Sequence, residues 1–236
     1  MAPSEETRAY KSKYELGKLE LTDVFGMNLF EEISDRIVVD FGCRVGVEAV
    51  QMAFRGAKRV IGIDIQERFL ERGARLARKH GLQDRCIFVQ NTDEKADIVV
   101  SKDAFEHFCD PAGVLLMMRG FLKEDGYVLA TIGPTWYHPY RGHLFSVFPW
   151  AHIFFTEKAL IRWRADFKSD GALAFTEVEG GLNGMTIRKF ESIVLRSPFR
   201  FEYIETVPIK GIKALKKRFV REIGSSRVRC KLVPKA

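Results

Sequence analysis

From residue 35 onward, short apolar runs alternate with segments whose apolar positions recur every three or four residues. "DRIVVDF" (35–41), "AKRVIGIDI" (57–65), "RCIFVQ" (85–90), "ADIVVS" (96–101) and "GYVLATIG" (126–133) have strand length and are rich in β-branched residues. Between them, "VEAVQMAFRG" (47–56), "QERFLERGARLARKHG" (66–81) and "PAGVLLMMRGFLK" (111–123) have helical spacing. Gly81 stops the second of these, and Arg78, Lys79 and His80 suit the negative end of its dipole. Buried strands joined by helices predict parallel pairing through right-handed crossovers. The expected fold is α/β: a Rossmann-like, doubly wound, mostly parallel seven-stranded sheet with helices on both faces and a small cap. Ligands of such sheets lie beyond the carboxyl ends of the strands.

After Gly133 the rhythm breaks. "PTWYHPYRGHLFSVFPWAHIFF" (134–155) is rich in aromatics, His and Pro, which suits the wall of a pocket better than a sheet element. Helices are then predicted over 156–167 and 185–197, a long strand over 199–209, a basic helix over 211–224 and a closing strand over 226–233. No repeat or low-complexity linker interrupts the chain, so one domain is expected. It divides into a helical lead-in (1–33), a cofactor-binding core (34–133), an acceptor-side cap (134–198) and closing strands with a basic helix (199–236).

At 236 residues with 46% hydrophobic composition, the chain can bury a sizeable core. No apolar run reaches the roughly 18 residues that span a bilayer, and the N-terminus lacks the apolar block of a secretory signal. Cysteines 43, 86, 109 and 230 are scattered without a CxxC pair, which disfavours a zinc site or a disulfide scaffold. Cytoplasmic location is the default expectation. The net charge of +7 hints at nucleic acid, but its distribution argues otherwise. Residues 210–236 hold ten Lys or Arg and one acid, Glu222, so that segment alone carries +9. A solvated helix face explains such a run, with weak binding of an anionic surface through residues 210–235 as the alternative.

Candidate chemistry begins where the first strand ends. Asp40 is followed by a turn bracketed by Gly42 and Gly46, where the backbone can bend sharply and approach a ligand closely. Asp64 ends the second strand, 18 residues after Gly46, where a carboxylate can accept hydrogen bonds from both hydroxyls of a ribose. Together, on successive strands, these features point to a nucleoside-type ligand.

"VVDFGCRVG", "GIDI" and "ADIVVSKDAFEHFCDP" resemble successive motifs of the class I S-adenosylmethionine-dependent methyltransferases, in particular those that methylate small molecules. The resemblance covers residues 35–133. It implies that S-adenosylmethionine is the cofactor and S-adenosylhomocysteine the product, with the methionine end held by Asp40, Gly42, Cys43, Arg44 and Gly46. Asp64 would hold the ribose and Ile65 would follow it. Asn91, Thr92 and Asp93 would face the adenine, and Ser101 closes the fourth strand. Arg44 departs from the family's D/E-x-G-x-G-x-G pattern, standing where the middle glycine is usual. If that position requires a positive φ, arginine costs about 1 kcal/mol or more. The same turn lacks the G-x-G-x-x-G of a nicotinamide oxidoreductase.

Asp103, Glu106 and His107 fall at i, i+3 and i+4, a spacing that would share one helical face. Related quinone-pathway enzymes hold a divalent metal with a similar array, but a structural role for Glu106 and His107 is the stronger expectation, and no metal ligands are assigned. His107 and His143 are the candidate bases, since imidazole titrates near neutrality. Trp136, Tyr137, His138, Tyr140 and His143 are the expected acceptor wall, fitting a small hydroxylated aromatic partner. Two other readings stand beside this one. Arg44 could leave a catalytically silent binding module, or the basic segment could serve a nucleic-acid methyltransferase, although no additional nucleic-acid-binding motif accompanies it.

Overall fold

The computed structural model describes residues 20–26, 28–140, 148–169, 171–212 and 220–235. The predicted lead-in appears there as two short helices, α1 (Glu20–Phe25) and α2 (Leu29–Ile33). The alternating region follows as β1 (Ile37–Phe41), α3 (Val47–Phe54), β2 (Arg59–Ile63), α4 (Glu67–Lys79), β3 (Cys86–Val89), β4 (Ala96–Lys102), α5 (Pro111–Phe121) and β5 (Leu122–Ile132). Then come α6 (Ala151–Phe154), α7 (Glu157–Arg164), α8 (Ile187–Arg196), β6 (Phe199–Pro208), α9 (Arg221–Gly224) and β7 (Ser225–Pro234). Residues 213–219, at the centre of the expected basic helix, lie outside the described residues. The seven strands form one sheet, as expected, and their order is β3-β2-β1-β4-β5-β7-β6. Only the pairs made by β7 are antiparallel among the strand pairs whose register is described here.

The chain divides into two compact units. The first comprises residues 1–100 and 121–126. Its strands are almost wholly apolar because both faces are covered: Val38, Val39, Val60, Ile61, Ile98 and Val99 are all buried. β1 lies between β2 and β4, with Asp40 opposite both Gly62 and Val100. The chain therefore leaves β1 and β2 at the same end of the sheet, which brings the turn after Phe41 beside the residue after Ile63.

The opposite end is tied by one carboxylate. Asp97 accepts hydrogen bonds from the Ile37 N–H at 2.8 Å and from Lys123 Nζ at 2.8 Å, with Arg36 at 3.9 Å. This tether explains why β5 starts at Leu122 and not near Gly126, where the apolar pattern places it. Gly126 is itself held close, since a Cβ there would lie 3.1 Å from the carbonyl oxygens of Ala96 and Asp97.

The second unit holds residues 101–120 and 127–236. β7 runs antiparallel between β5 and β6, with Cys230 opposite Ala130 and Ile204. Val228, Cys230 and Leu232 are buried, as their alternation with charges predicts. The charges between them pair across the strands, Arg229 with Glu205 at 2.6 Å and Lys231 with Glu202 at 3.1 Å. Glu222, the one acid of the basic segment, accepts the N–H groups of Ile187 and Arg188 and so caps α8. Among the described residues, no helix is long and apolar enough to cross a membrane.

Partial burial works against ionisation of Asp97, but the hydrogen bonds from Lys123 and the Ile37 N–H and the charges of Lys123 and Arg36 outweigh it, and the carboxyl sits below its ordinary range. Its stabilisation is therefore complete above the unfolded value of about 3.9 and fades as pH falls through the lower folded value. Asp97→Ala is expected to cost about 1–3 kcal/mol at neutral pH. In urea titrations the gap between wild type and variant should narrow as the pH falls below the unfolded value of about 3.9 and close below the lower folded one.

Candidate functional site

The turn after β1 is built from three residues of positive φ: Gly42 at 79°, Arg44 at 47° and Gly46 at 77°. The Gly42 and Cys43 N–H groups both donate to the Ile63 carbonyl, at 2.9 and 3.0 Å, which bends the chain back over the end of β2. The Arg44 N–H donates to Asp64 Oδ2 at 3.0 Å, while Asp64 Oδ1 accepts the Gln66 N–H at 2.9 Å. One carboxylate thus fixes the turn after β1 to the turn after β2. Each of its oxygens retains a further lone pair for a ligand. The Arg44 side chain is exposed, with its guanidinium 5.9 Å from the centre of the Phe69 ring. It points outward, and its backbone occupies the left-handed region at a strain of about 1–2 kcal/mol.

The expected site residues separate into those the turn gathers and those it does not. Asp40 is buried one residue before the end of β1, which runs on to Phe41 where the sequence placed its end at Asp40. Ile65 follows Asp64 and is 88% exposed, an apolar surface standing open beside the carboxylate. Asn91 and Asp93 are exposed, whereas the Thr92 hydroxyl accepts the Glu94 N–H at 3.1 Å and serves its own turn. Ser101 belongs to the second unit; its hydroxyl is buried without a hydrogen-bond partner among the described residues. Gln90, which the sequence reading passed over, donates its side-chain amide to the Ile65 carbonyl at 3.4 Å and so links the segment after β3 to the acid-bearing turn.

Sequence reasoning also missed what sets the position of this turn. A Cβ on Gly46 would lie 2.2 Å from the Phe88 ring, and one on Gly62 or Gly73 would lie 2.6 or 2.5 Å from it. Three glycines, from the start of α3, from β2 and from α4, leave just the space that one phenyl ring fills. Only Gly46 was singled out from the motif; the other two carry no signal until the position of Phe88 is known.

Cys43 adds no nucleophile. Burial first, and then the charges of Asp40 and Asp64, push its thiol far above the ordinary range. Burial and Asp40 likewise push Cys86 up to about 12, and burial raises Cys230.

In the second unit, Asp103, Glu106 and His107 do not share a helical face as their spacing suggested. Asp103 has a φ of 46°, and the 3₁₀ turn begins only at Phe105. A carboxylate at that φ is held from outside: Arg227 binds both its oxygens, at 3.1 and 2.8 Å, and Thr131 Oγ1 donates to it at 2.9 Å. Residues 181–183 clamp the 3₁₀ turn. The Asn183 side-chain amide donates to the carbonyls of Phe105 and Phe108 at 2.7 and 2.8 Å, and its N–H donates to that of Glu106 at 3.0 Å. His107 Nδ1 lies 2.7 Å from the Gly181 carbonyl, which places the proton of the neutral ring on Nδ1 and the basic lone pair on Nε2. Of the expected acceptor wall, Trp136 packs edge-to-face on His152 and Phe175. Tyr137 and Tyr140 are exposed, and His138 Nδ1 lies 2.7 Å from the Tyr140 carbonyl. His143 lies outside the described residues.

Residues 33–134 match the model of a family described as a methyltransferase domain. The chain is 31% identical over 126 residues to the ubiquinone biosynthesis O-methyltransferase of Neisseria meningitidis serogroup C (strain 053442), covering 50% of this chain and 52% of that protein. It is 31% identical over 101 residues to the ribosomal protein L11 methyltransferase of Hamiltonella defensa subsp. Acyrthosiphon pisum (strain 5AT), covering 41% of this chain and 32% of that one. The chain thus spans about a third to a half of these curated relatives. Among solved structures, an S-adenosylmethionine-dependent methyltransferase from Mesorhizobium loti superposes with a TM-score of 0.57 at 17% identity, over 85% of this chain and 92% of that one. The fold is like that of the class I S-adenosylmethionine-dependent methyltransferases, and the similarity to the methyltransferase-domain family covers residues 33–134.

Two outcomes follow from this geometry. Gly73→Ala is expected to destabilise the protein by about 1–3 kcal/mol through overpacking against Phe88, and adding Phe88→Leu should recover part of that loss in thermal melts. With Ellman's reagent at pH 8, one of the four thiols, the exposed Cys109, should react in the native protein, and the remaining three only after denaturation.

Proposed function

We propose that the chain is an S-adenosylmethionine-dependent methyltransferase acting on a small hydroxylated or aromatic acceptor. The observation that carries this reading is the hydrogen bond from the Arg44 N–H to Asp64, which sets a glycine-flanked turn and a ribose-type carboxylate side by side. The residues present fit the adenosine of such a cofactor. Asp64 keeps a lone pair on each oxygen for the two ribose hydroxyls, and exposed Ile65 offers an apolar face to the base. Asn91 and Asp93 are the proposed partners of the adenine amine. Gly42 and Gly46 let the backbone approach the methionine end, near buried Asp40. When bound, the cofactor supplies a sulfonium methyl already activated for in-line displacement.

The protein's own contribution is then alignment and exclusion of water, worth up to about 7–11 kcal/mol in favourable cases. His107 is assigned as the base that takes the acceptor's proton on Nε2, its ring oriented by the Gly181 carbonyl. A small acceptor is supported by the similarity to an enzyme named for ubiquinone biosynthesis and by the aromatic residues Trp136, Tyr137 and Tyr140. One observation favours a second reading: arginine held at a positive φ in the cofactor turn is what a catalytically silent binding module would tolerate.

Thermal shift with S-adenosylhomocysteine tests both. At about 100 times the dissociation constant, binding should stabilise the wild type by about 2.7 kcal/mol. Asp64→Ala should weaken affinity about tenfold or more, through loss of charge-assisted hydrogen bonds. Arg44→Gly should bind no more weakly than wild type. A shift confined to Arg44→Gly establishes the silent module instead, and no shift in either protein removes the cofactor assignment.

A further inference from the structure

The cofactor proposed for the turn after β1 and the product it leaves differ by one charge. S-adenosylmethionine carries a sulfonium cation, and S-adenosylhomocysteine has a neutral thioether in its place. The adenosine and amino-acid groups of the two are the same. Hydrogen bonds to ribose or adenine therefore act on both ligands alike. A fixed charge beside the turn acts on the difference between them.

Position 44 supplies such a charge. Arg44 stands between Gly42 and Gly46 with a φ of 47°, and its side chain is exposed. Its guanidinium lies 5.9 Å from the centre of the Phe69 ring. Arg68, in the first turn of α4, sets its own guanidinium 4.9 Å from the same centre. Long side chains of like charge ordinarily splay into solvent, whereas these two are seated on one phenyl group. Arg68 is held further by its Nε, which donates to the Gln66 side-chain oxygen at 2.9 Å. Gln66 in turn donates its N–H to Asp64, so the second cation is tied to the turn that bears the ribose-type carboxylate. Among the described residues neither guanidinium forms an ion pair, whereas Arg75, farther along α4, meets Glu71 at 3.6 Å.

The acids of this region are Asp40, Asp64 and, in the first turns of α3 and α4, Glu48 and Glu67. Their charges favour the sulfonium, so the site still admits a cation. The two arginines oppose them, Arg44 from within the turn itself.

We infer that Arg44, with Arg68 beside it, is a specificity-determining residue that tilts this site away from the cationic cofactor and toward the neutral product. The inference rests on the cofactor reading above. Its consequence is product retention: S-adenosylhomocysteine competes better here than it would with an uncharged residue at position 44.

Calorimetric titration of the full chain with each ligand, at about 0.01 M and about 1 M salt, tests it. A unit charge on the order of 10 Å away in a water-like medium shifts an affinity about twofold at low salt. Arg44→Gln, which removes the charge, should therefore tighten S-adenosylmethionine about twofold and leave S-adenosylhomocysteine close to wild type. Arg44→Gln/Arg68→Gln should tighten the cofactor about threefold to fourfold. At the higher salt the gap between wild type and variants should shrink. Arg44→Lys keeps the charge and changes the shape, and should keep the wild-type ratio of the two affinities. Melting temperatures of the unliganded variants, matched to wild type, guard against loss of folding. A ratio that the double variant leaves unchanged at low salt overturns the inference while the cofactor reading stands. So does a ratio that Arg44→Lys shifts as far as Arg44→Gln, which assigns the effect to shape. If neither ligand binds the wild type or the double variant, the cofactor reading falls and this inference with it.

Discussion

A phenyl ring set among three glycines governs the first unit. Phe88 projects from β3 into a space bounded by Gly46, Gly62 and Gly73, so β3, β2 and the two helices that flank them settle at distances the ring dictates. Gly46 is also the last residue of the turn after β1. The packing that closes the core is therefore continuous with the turn proposed to receive the cofactor. An interior filled at crystal density transmits such constraints without slack. The turn's shape follows: with Gly46 fixed at one end and the Ile63 carbonyl holding Gly42 and Cys43 at the other, residue 44 has little choice but the left-handed region. The arginine there is tolerated because the position asks for a backbone N–H, which any residue but proline supplies.

The second unit answers to a different constraint, polar satisfaction. The turn after β4 bonds to itself from the His107 N–H to the Ala104 carbonyl, and its next carbonyls, of Phe105, Glu106 and Phe108, are met from far along the chain by Asn183. Asp103 is met from farther still by Arg227, in a bidentate arrangement stronger than an ordinary pair. "GLNGM" and "RVRC" thus have a part in holding His107 that their own composition does not advertise.

The strands and helices were legible because burial on both faces writes itself as continuous β-branched runs, and half-burial as alternation. The place of Asp64 just after an apolar strand was legible for the same reason, but its bridge between the Arg44 and Gln66 N–H groups was not. Phe88 was not, since an aromatic in a strand looks like any core residue until its three neighbours are known to lack side chains. The helical face assigned to Asp103, Glu106 and His107 failed because spacing is informative only where the backbone is helical, and an aspartate drawn to a distant arginine left that conformation. The start of β5 was misplaced because the apolar pattern begins at Tyr127, whereas Asp97 and Lys123 extend the pairing through polar residues. Gln90 was overlooked because its contribution is a contact with a main-chain carbonyl, to which sequence is blind.

Three of the four cysteine thiols are shut away beneath the surface, and the side chain at position 44 is exposed while its peptide group does the structural work. Exchanging Cys109 for serine would leave a chain unresponsive to maleimides. A single engineered cysteine at 44 would then take a fluorophore close to the proposed adenosine site, and the protein could serve as a reagentless optical sensor for the cofactor proposed above.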